Sequence, residues 1–301
     1  MKSTISNWLE AFRLRTLPLA LSSIGMGSFL AASYGKFDLI VFILCVTTTI
    51  FLQVLSNLAN DYGDSRHGAD SAERLGPSRS VQAGKISAKS MKKAMILFIV
   101  LSFISGIALL YYSLGVSQVL YFVIFFILGL LSIGAAITYT AGKKPYGYAG
   151  LGDISVMIFF GWIGVGGTFY LFTGIYLWDI ILPASCCGFF ATAVLNINNI
   201  RDIDSDKKAG KKSIPVRIGA TKARIYHLFL LISGVLTALV YVILHFETPY
   251  QFLFVLAFPL IVLNAKAILT KKSPKEIDPF LKQMAITTLL FVISFGIGQI
   301  I

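Results

Sequence analysis

Two acidic clusters interrupt an otherwise greasy chain, and their residue types and spacing suit the handling of a metal-bridged polyanion. The first is Asn60-Asp61-Tyr62-Gly63-Asp64, followed by Asp70. The second runs Asn198-Asn199-Ile200-Arg201-Asp202-Ile203-Asp204-Ser205-Asp206. Each stands at the C-terminal end of an apolar stretch long enough to cross a bilayer, where a carboxylate costs roughly 2.5–3.5 kcal/mol at the membrane centre and usually has a function. Asn60 and Asp64 are separated by one helical turn, as are Asn198, Asp202 and Asp206, so each set lines one helix face. Magnesium takes one or two carboxylates and completes its octahedron with water and phosphate oxygens. Two such sets at one membrane face can hold cations against a diphosphate, with basic neighbours neutralising the rest. As mere helix-end charges they would be misplaced, because the dipole disfavours acids at a C-terminus. An ion path through a transporter is the stronger rival.

The elements that must position these clusters follow from composition. The chain has 301 residues, 56% hydrophobic, and a mean hydropathy of +0.79, which excludes a soluble domain and requires a polytopic membrane protein. Charge-free runs cover Thr16–Gly35, Leu39–Asn60, Ala94–Gly142, Ile154–Trp178, Ile180–Ile200, Ile225–Phe246, Thr248–Ala265 and Gln283–Ile301. Ser113-Leu114-Gly115-Val116-Ser117 reads as a turn dividing the longest of these, so nine transmembrane helices are expected in one bundle spanning 1–301. With the N-terminus in the cytoplasm, every one of the 26 lysines and arginines except Lys36 falls on the inner side, and the C-terminus falls outside. The net charge of +12 then reflects topology and anionic headgroups, not nucleic acid. The loops 61–90 and 201–222 carry the acidic clusters on the cytoplasmic side. Residues 1–15 read as an interfacial amphipathic segment, with Ile5, Trp8, Leu9 and Phe12 on one face. Cys45, Cys186 and Cys187 lie within spans, so no disulfide is expected, and the scattered histidines form no zinc pattern. Glycines 161, 164, 166 and 167 read as helix-packing positions that also leave room for a long lipid tail.

Asn60-Asp61-x-x-Asp64 with a downstream Asp, paired with Asp202-x-x-x-Asp206, resembles the two aspartate-rich motifs of the UbiA superfamily of intramembrane prenyltransferases. The likeness covers nearly the whole chain, including the helix count. Arg13-Leu14-Arg15-Thr16-Leu17-Pro18, Gly76-Pro77-Ser78-Arg79 and Tyr146-Gly147-Tyr148-Ala149-Gly150-Leu151-Gly152-Asp153 look most like the branch that acts on 1,4-dihydroxy-2-naphthoate. One departure is Gly68, where the broad pattern has an Asp; Asp70 stands in for it.

The resemblance implies that Asn60, Asp61, Asp64, Asp70, Asn198, Asp202 and Asp206 hold Mg2+. Arg66, Arg79, Lys143 and Arg201 are candidate diphosphate contacts. Tyr139 and Lys143 match a tyrosine–lysine pair beside the diphosphate; a lysine is a point-charge clamp, and a tyrosine ring can face an allylic cation. Asp153 is the candidate to orient or deprotonate the acceptor. The implied reaction moves a polyprenyl group from polyprenyl diphosphate to 1,4-dihydroxy-2-naphthoate with loss of the carboxylate, toward demethylmenaquinone. Other aromatic acceptors such as 4-hydroxybenzoate are the alternative within the class. Asp204 and Asp278 read as solvated bystanders.

Overall fold

The computed structural model describes residues 4–67, 79–115 and 117–301, and among them the chain is all-helical. It opens with a short helix α1 (Thr4–Phe12) and a 3-10 turn, Leu14–Thr16, before α2 (Leu17–Ser33). Then come α3 (Leu39–His67), α4 (Ala88–Leu114), α5 (Val119–Thr138) and α6 (Gly152–Val156). A π-helical stretch, Met157–Gly167, joins α6 to α7 (Thr168–Thr173). Helix α8 (Ile181–Arg201) is followed by the short α9 (Ile203–Lys208) and α10 (Ile214–Ile218), then α11 (Ala220–Leu244). A 3-10 stretch from Pro249 leads into α12 (Phe258–Thr270), and α13 (Pro274–Ile300) closes the chain. Nine of the resulting units are long and apolar enough to span a membrane, among the described residues.

Local chemistry sets the helix ends. Ser87 caps α4 by accepting from the Ser90 N–H at 3.1 Å. Ser273 and Glu276 form a reciprocal capping box at α13, with Pro274 in the first turn. Gly115 and Gly174, both at positive φ, end α4 and α7. The expected turn at residues 113–117 therefore falls where the glycine allows it.

Helix α8 is the axis of the bundle, with Cys186, Phe190, Ala193 and Ile197 fully buried against α11, α13 and the π-helical stretch. Small residues make the approach possible: a Cβ added to Gly161 would sit 2.7 Å from the Ala184 carbonyl oxygen. A second core joins α1, α3 and α4 through Ala11, Leu55, Leu58 and Met91. Trp8 and Phe12 pack on that core, while Ile5 and Leu9 stay exposed, so the amphipathic segment is shared between protein and lipid. Helix α5 has no buried residue at all. It leans over a cavity of about 450 Å³ enclosed with α2, α3, α4, the π-helical stretch and α8. Outward-facing Leu256, Ile243 and Leu120 are what a lipid-facing surface requires.

One boundary differs from the sequence expectation. The segment 61–90 does not begin as a loop, because α3 continues through Asp61 and Asp64 to His67. The extension has neighbours to pack on. Asp61 accepts from the Ser80 and Val81 N–H groups at 2.9 and 3.1 Å, and Thr140 Oγ1 donates to the Ala59 carbonyl at 3.0 Å. Likewise 201–222 contains α9 and α10 where a loop was expected.

Candidate active site

The first acidic set lies on the last turns of α3. Asp64 is 5% exposed and forms a buried ion pair with Arg79, while its other oxygen accepts from the Tyr148 hydroxyl at 3.0 Å. Asn60 Oδ1 accepts from Thr140 Oγ1 at 3.0 Å. Asp61 turns to the returning backbone at Ser80 and Val81 and does not line the cavity. Gly63 is required here, since a Cβ would meet the Thr140 backbone at 2.5 Å.

The second set straddles a break. Helix α8 ends at Arg201, Asp202 leaves helical geometry at φ −99° and ψ 12°, and α9 begins at Ile203. Backbone bonds from Asp202 N–H to Asn198 (3.1 Å) and from Asp206 N–H to Asp202 (2.8 Å) carry the helical spacing across that break. Asn198 and Asp206 border the cavity beside Asn60 and Asp64. Asp206 is 6% exposed and pairs with Lys211 Nζ at 3.2 Å. Burial raises its carboxyl above the usual carboxylate range; Lys211 opposes that, while Asp202 and Asp64 add to it. The two motifs thus meet closely enough for Asp64 and Asp206 to repel. Burial alone would lower the Lys211 ammonium, yet Asp206, Tyr139 and Asp64 hold it above the ordinary lysine value.

The segment between α5 and α6 ties the motifs together. Tyr148 bonds Asp64 with its hydroxyl and accepts the Lys212 N–H with its carbonyl at 2.9 Å. The Arg217 guanidinium donates to the Ala149 carbonyl at 2.5 Å. Tyr139, at the head of this segment, borders the cavity with its ring edge-on to Tyr146 at 5.4 Å. Burial pushes its phenol up to about 12, so the hydroxyl stays protonated.

Not every expected residue joins this assembly. Arg201 is 3% exposed, but its guanidinium bonds Asp202 twice (2.8 and 2.7 Å), Asn198 (2.7 Å) and Asp278 (2.5 Å), which turns it and Asp202 away from the cavity. Asp278 is therefore a partner of a buried cation and no bystander, whereas Asp204 is exposed. Arg66 is exposed and lies over the Tyr62 ring at 5.6 Å, and Lys143 is exposed outside the cavity. Asp153 is buried and accepts from the Tyr226 hydroxyl at 3.0 Å, behind the cavity wall that its neighbour Ser155 lines. Asp70 lies outside the described residues. Conversely, sequence spacing did not single out Lys211 or Tyr148. Lys211 is one of several loop lysines, and only the fold of α9 and α10 selects it.

A divalent cation fits the donor set. Asn60, Asp64, Asn198 and Asp206 offer only oxygen, the hard ligands Mg2+ prefers. Asp206 Oδ2 is buried with no directed hydrogen bond among the described residues, although Lys211 sits beside it. No three Asp, Glu, His or Cys side chains converge on a point among the described residues, so a cation held here would also draw on water or phosphate oxygens. From this polar mouth the cavity runs to Cys45, Leu110, Phe125 and Leu171, an apolar trough suited to a long hydrocarbon.

The fold and this site define a multi-pass membrane protein whose cavity has a polar, acidic mouth and an apolar interior among its spans. Residues 20–292 match the UbiA prenyltransferase family, and the chain belongs to that family. It is 49% identical over 296 residues to the 1,4-dihydroxy-2-naphthoate octaprenyltransferase of Haemophilus influenzae, covering 98% of this chain and 96% of that one. The Escherichia coli protein of the same name is 45% identical, with 97% and 96% covered. A UbiA homolog from Archaeoglobus fulgidus, solved bound to GPP and Mg2+, shares the fold with a TM-score of 0.62 at 19% identity, over 98% and 99% of the two chains.

Proposed function

We propose that the protein transfers a polyprenyl group from polyprenyl diphosphate to 1,4-dihydroxy-2-naphthoate. The observation that carries this is the meeting of Asn60 and Asp64 with Asn198 and Asp206, from separate spans, at the polar mouth of an apolar trough. The relatives at 49% and 45% identity, named for that acceptor, support the choice of substrate. Mg2+ held by those residues would supply Lewis-acid stabilisation of the leaving diphosphate. Arg79 and Lys211, each beside one acidic set, neutralise the phosphate charge that the metal would leave. Arg201 instead keeps Asp202 and the α8–α9 break rigid.

The C–O bond to diphosphate breaks first, its electrons leaving with the diphosphate, and the ring carbon that carries the carboxylate then bonds the allylic cation. Carbon dioxide then leaves with its bonding electrons returned to the ring, so no oxidant is needed and the product is the reduced, naphthalenediol form of demethylmenaquinone. Tyr139 borders the cavity, and its π-face stabilises the developing cation. The apolar walls, including Phe159 and Phe160, keep water from quenching it. Asp153, hydrogen-bonded to Tyr226, orients the wall that carries Ser155 and acts on the acceptor through that wall. The acidic mouth opens to the cytoplasm and the C-terminus lies outside.

Purified protein in lipid nanodiscs, given a polyprenyl diphosphate and a panel of aromatic acids, tests this by product mass. The expected product is the prenylated naphthalenediol, formed with magnesium and lost in chelator. Prenylation of 4-hydroxybenzoate and not the naphthoate would overturn the acceptor assignment. Full turnover in chelator, with metal shown to be absent, would overturn the metal role.

A further inference from the structure

A groove of about 260 Å³ runs along the outside of the bundle between α12 and α13, bordered by Leu260, Pro279, Lys282, Gln283, Ile286 and Thr287. It shares no lining residue with the cavity of the active site. Lys275, Pro279, Lys282 and Ile286 follow at intervals of four, three and four residues, so they form one stripe along α13, and all four are exposed. The stripe continues through Leu290, Ile293 and Ile297, each exposed, as a lipid-facing surface. Its charged end lies at the same end of the bundle as the acidic motifs. Asp278 bonds Arg201 at the α8–α9 break, and Lys282 follows Asp278 by about one helical turn.

The position of the two lysines asks for an anion from outside the chain. Lys275 sits in the first turn of α13, where the helix dipole favours an acid and opposes a cation. Neither Lys275 nor Lys282 has an ion-pair partner among the described residues, since Glu276 accepts from Ser273 and Asp278 holds Arg201. The groove floor has no donor to spare. Gln283 donates both N–H bonds, to the Leu260 carbonyl and the Thr287 hydroxyl, each at 2.9 Å, and that hydroxyl donates to the Gln283 carbonyl. Recognition of an anion here therefore falls to the lysines, while Leu260 and Ile286 offer hydrocarbon contact. Lysine stems laid along an apolar helix face, with their ammonium groups at the water boundary, complement a lipid with a negative headgroup.

We propose that the α12–α13 groove binds an anionic phospholipid, its headgroup phosphate held by Lys275 and Lys282 and an acyl chain laid along Leu260 and Ile286. Neither the acceptor nor turnover enters the test. Native mass spectrometry of the full chain, released from micelles doped with phosphatidylglycerol or phosphatidylcholine of matched acyl chains, counts the lipids that stay bound. The wild type is expected to retain one phosphatidylglycerol under conditions that strip phosphatidylcholine. Lys282→Gln should weaken retention about five-fold, and Lys275→Gln combined with it about thirty-fold, the loss that removing juxtamembrane cations brings. Ile286→Trp fills the groove without touching charge and should release the lipid as well. Lys92→Gln, at an exposed lysine of α4, should change nothing. Melting in phosphatidylcholine checks that each variant is folded, and the exposed lysine variants carry the test if Ile286→Trp is not. Equal retention of the two lipids, or equal losses from Lys92→Gln and Lys282→Gln, overturns the site. A dimer that fills the groove in place of lipid overturns it too, as does geranylgeranyl diphosphate retained through these lysines when phosphatidylglycerol is not.

Discussion

Asp206 and Asp202 carry the same charge at neighbouring positions, yet their surroundings assign them different work. Asp206 borders the cavity with Lys211 beside it, whereas both Asp202 oxygens accept from Arg201. Removing one partner of a buried ion pair costs about 3–5 kcal/mol, because the other charge stays buried. Asp202→Asn is therefore expected to lower the unfolding temperature in detergent together with activity. Asp206→Asn and Asp64→Asn each break a buried ion pair as well, with Lys211 and Arg79, so they should lower the melting temperature too, but turnover of the folded fraction should fall by on the order of 100-fold or more, as losing a metal-ligating or electrostatic group does. Asp204→Asn, on an exposed side chain, should leave turnover within about two-fold, the range of an ordinary surface change. Equal damage from Asp204→Asn would show that the cavity does not select among these acids. Tyr139 separates ring from hydroxyl. Since its phenol stays protonated, Tyr139→Phe keeps the π-face and most activity, while Tyr139→Leu loses both. Similar rates for the Phe and Leu variants would remove the ring from the mechanism.

Elements meet at this site through close approaches that small side chains permit. Helix α3 touches the segment after α5 at Gly63, where any Cβ would collide with the Thr140 backbone. Gly63→Ala is expected to cost about 1–3 kcal/mol as overpacking and to pull Tyr148 off Asp64, so both melting temperature and activity fall. Gly134→Ala on α5 has open space within 4 Å and should be neutral or slightly stabilising in the same melt. A harmless Gly63→Ala would mean that the α3 contact does not position the first motif. The π-helical stretch after α6 and the unburied face of α5 follow one logic. Gly164 and Gly167 remove bulk from the cavity wall, and α5 covers the trough without sealing it.

At the scale of the molecule, the charges that surround the mouth also orient it. With the N-terminus in the cytoplasm, the basic-residue pattern of the sequence assigns every lysine and arginine but Lys36 to the side of the acidic motifs. Single cysteines placed at Lys85, Lys211 and Lys272 in a background lacking the three native thiols should label from the cytoplasm, and one at Lys36 from outside. Labelling of the Lys85 and Lys211 sites from opposite faces would contradict a shared mouth. The apolar outer surface, with Tyr176 and Trp178 exposed at one end of their spans, fits a chain whose solvent is lipid around most of its girth.

Hydropathy and one-turn spacing are one-dimensional properties, so the amino-acid sequence alone determined the spans and the pairing of Asn60 with Asp64 and of Asn198 with Asp206, residues that the fold brings to one cavity. The break at Gly115 was legible for the same reason, since a turn's chemistry is local. Which cation faces which anion was not legible. Arg201 and Asp278 are far apart along the chain, and only the packing of α13 beside α8 joins them, turning a candidate phosphate ligand into a buried strut. Lys211 reaches the site because the chain folds back after α9, with the Lys211 N–H on the Asp206 carbonyl and the Lys212 N–H on the Tyr148 carbonyl. Pairings of this kind are settled by desolvation: once the bundle closes, each buried charge must find its partner from whatever element lies opposite, and that choice exists only in three dimensions.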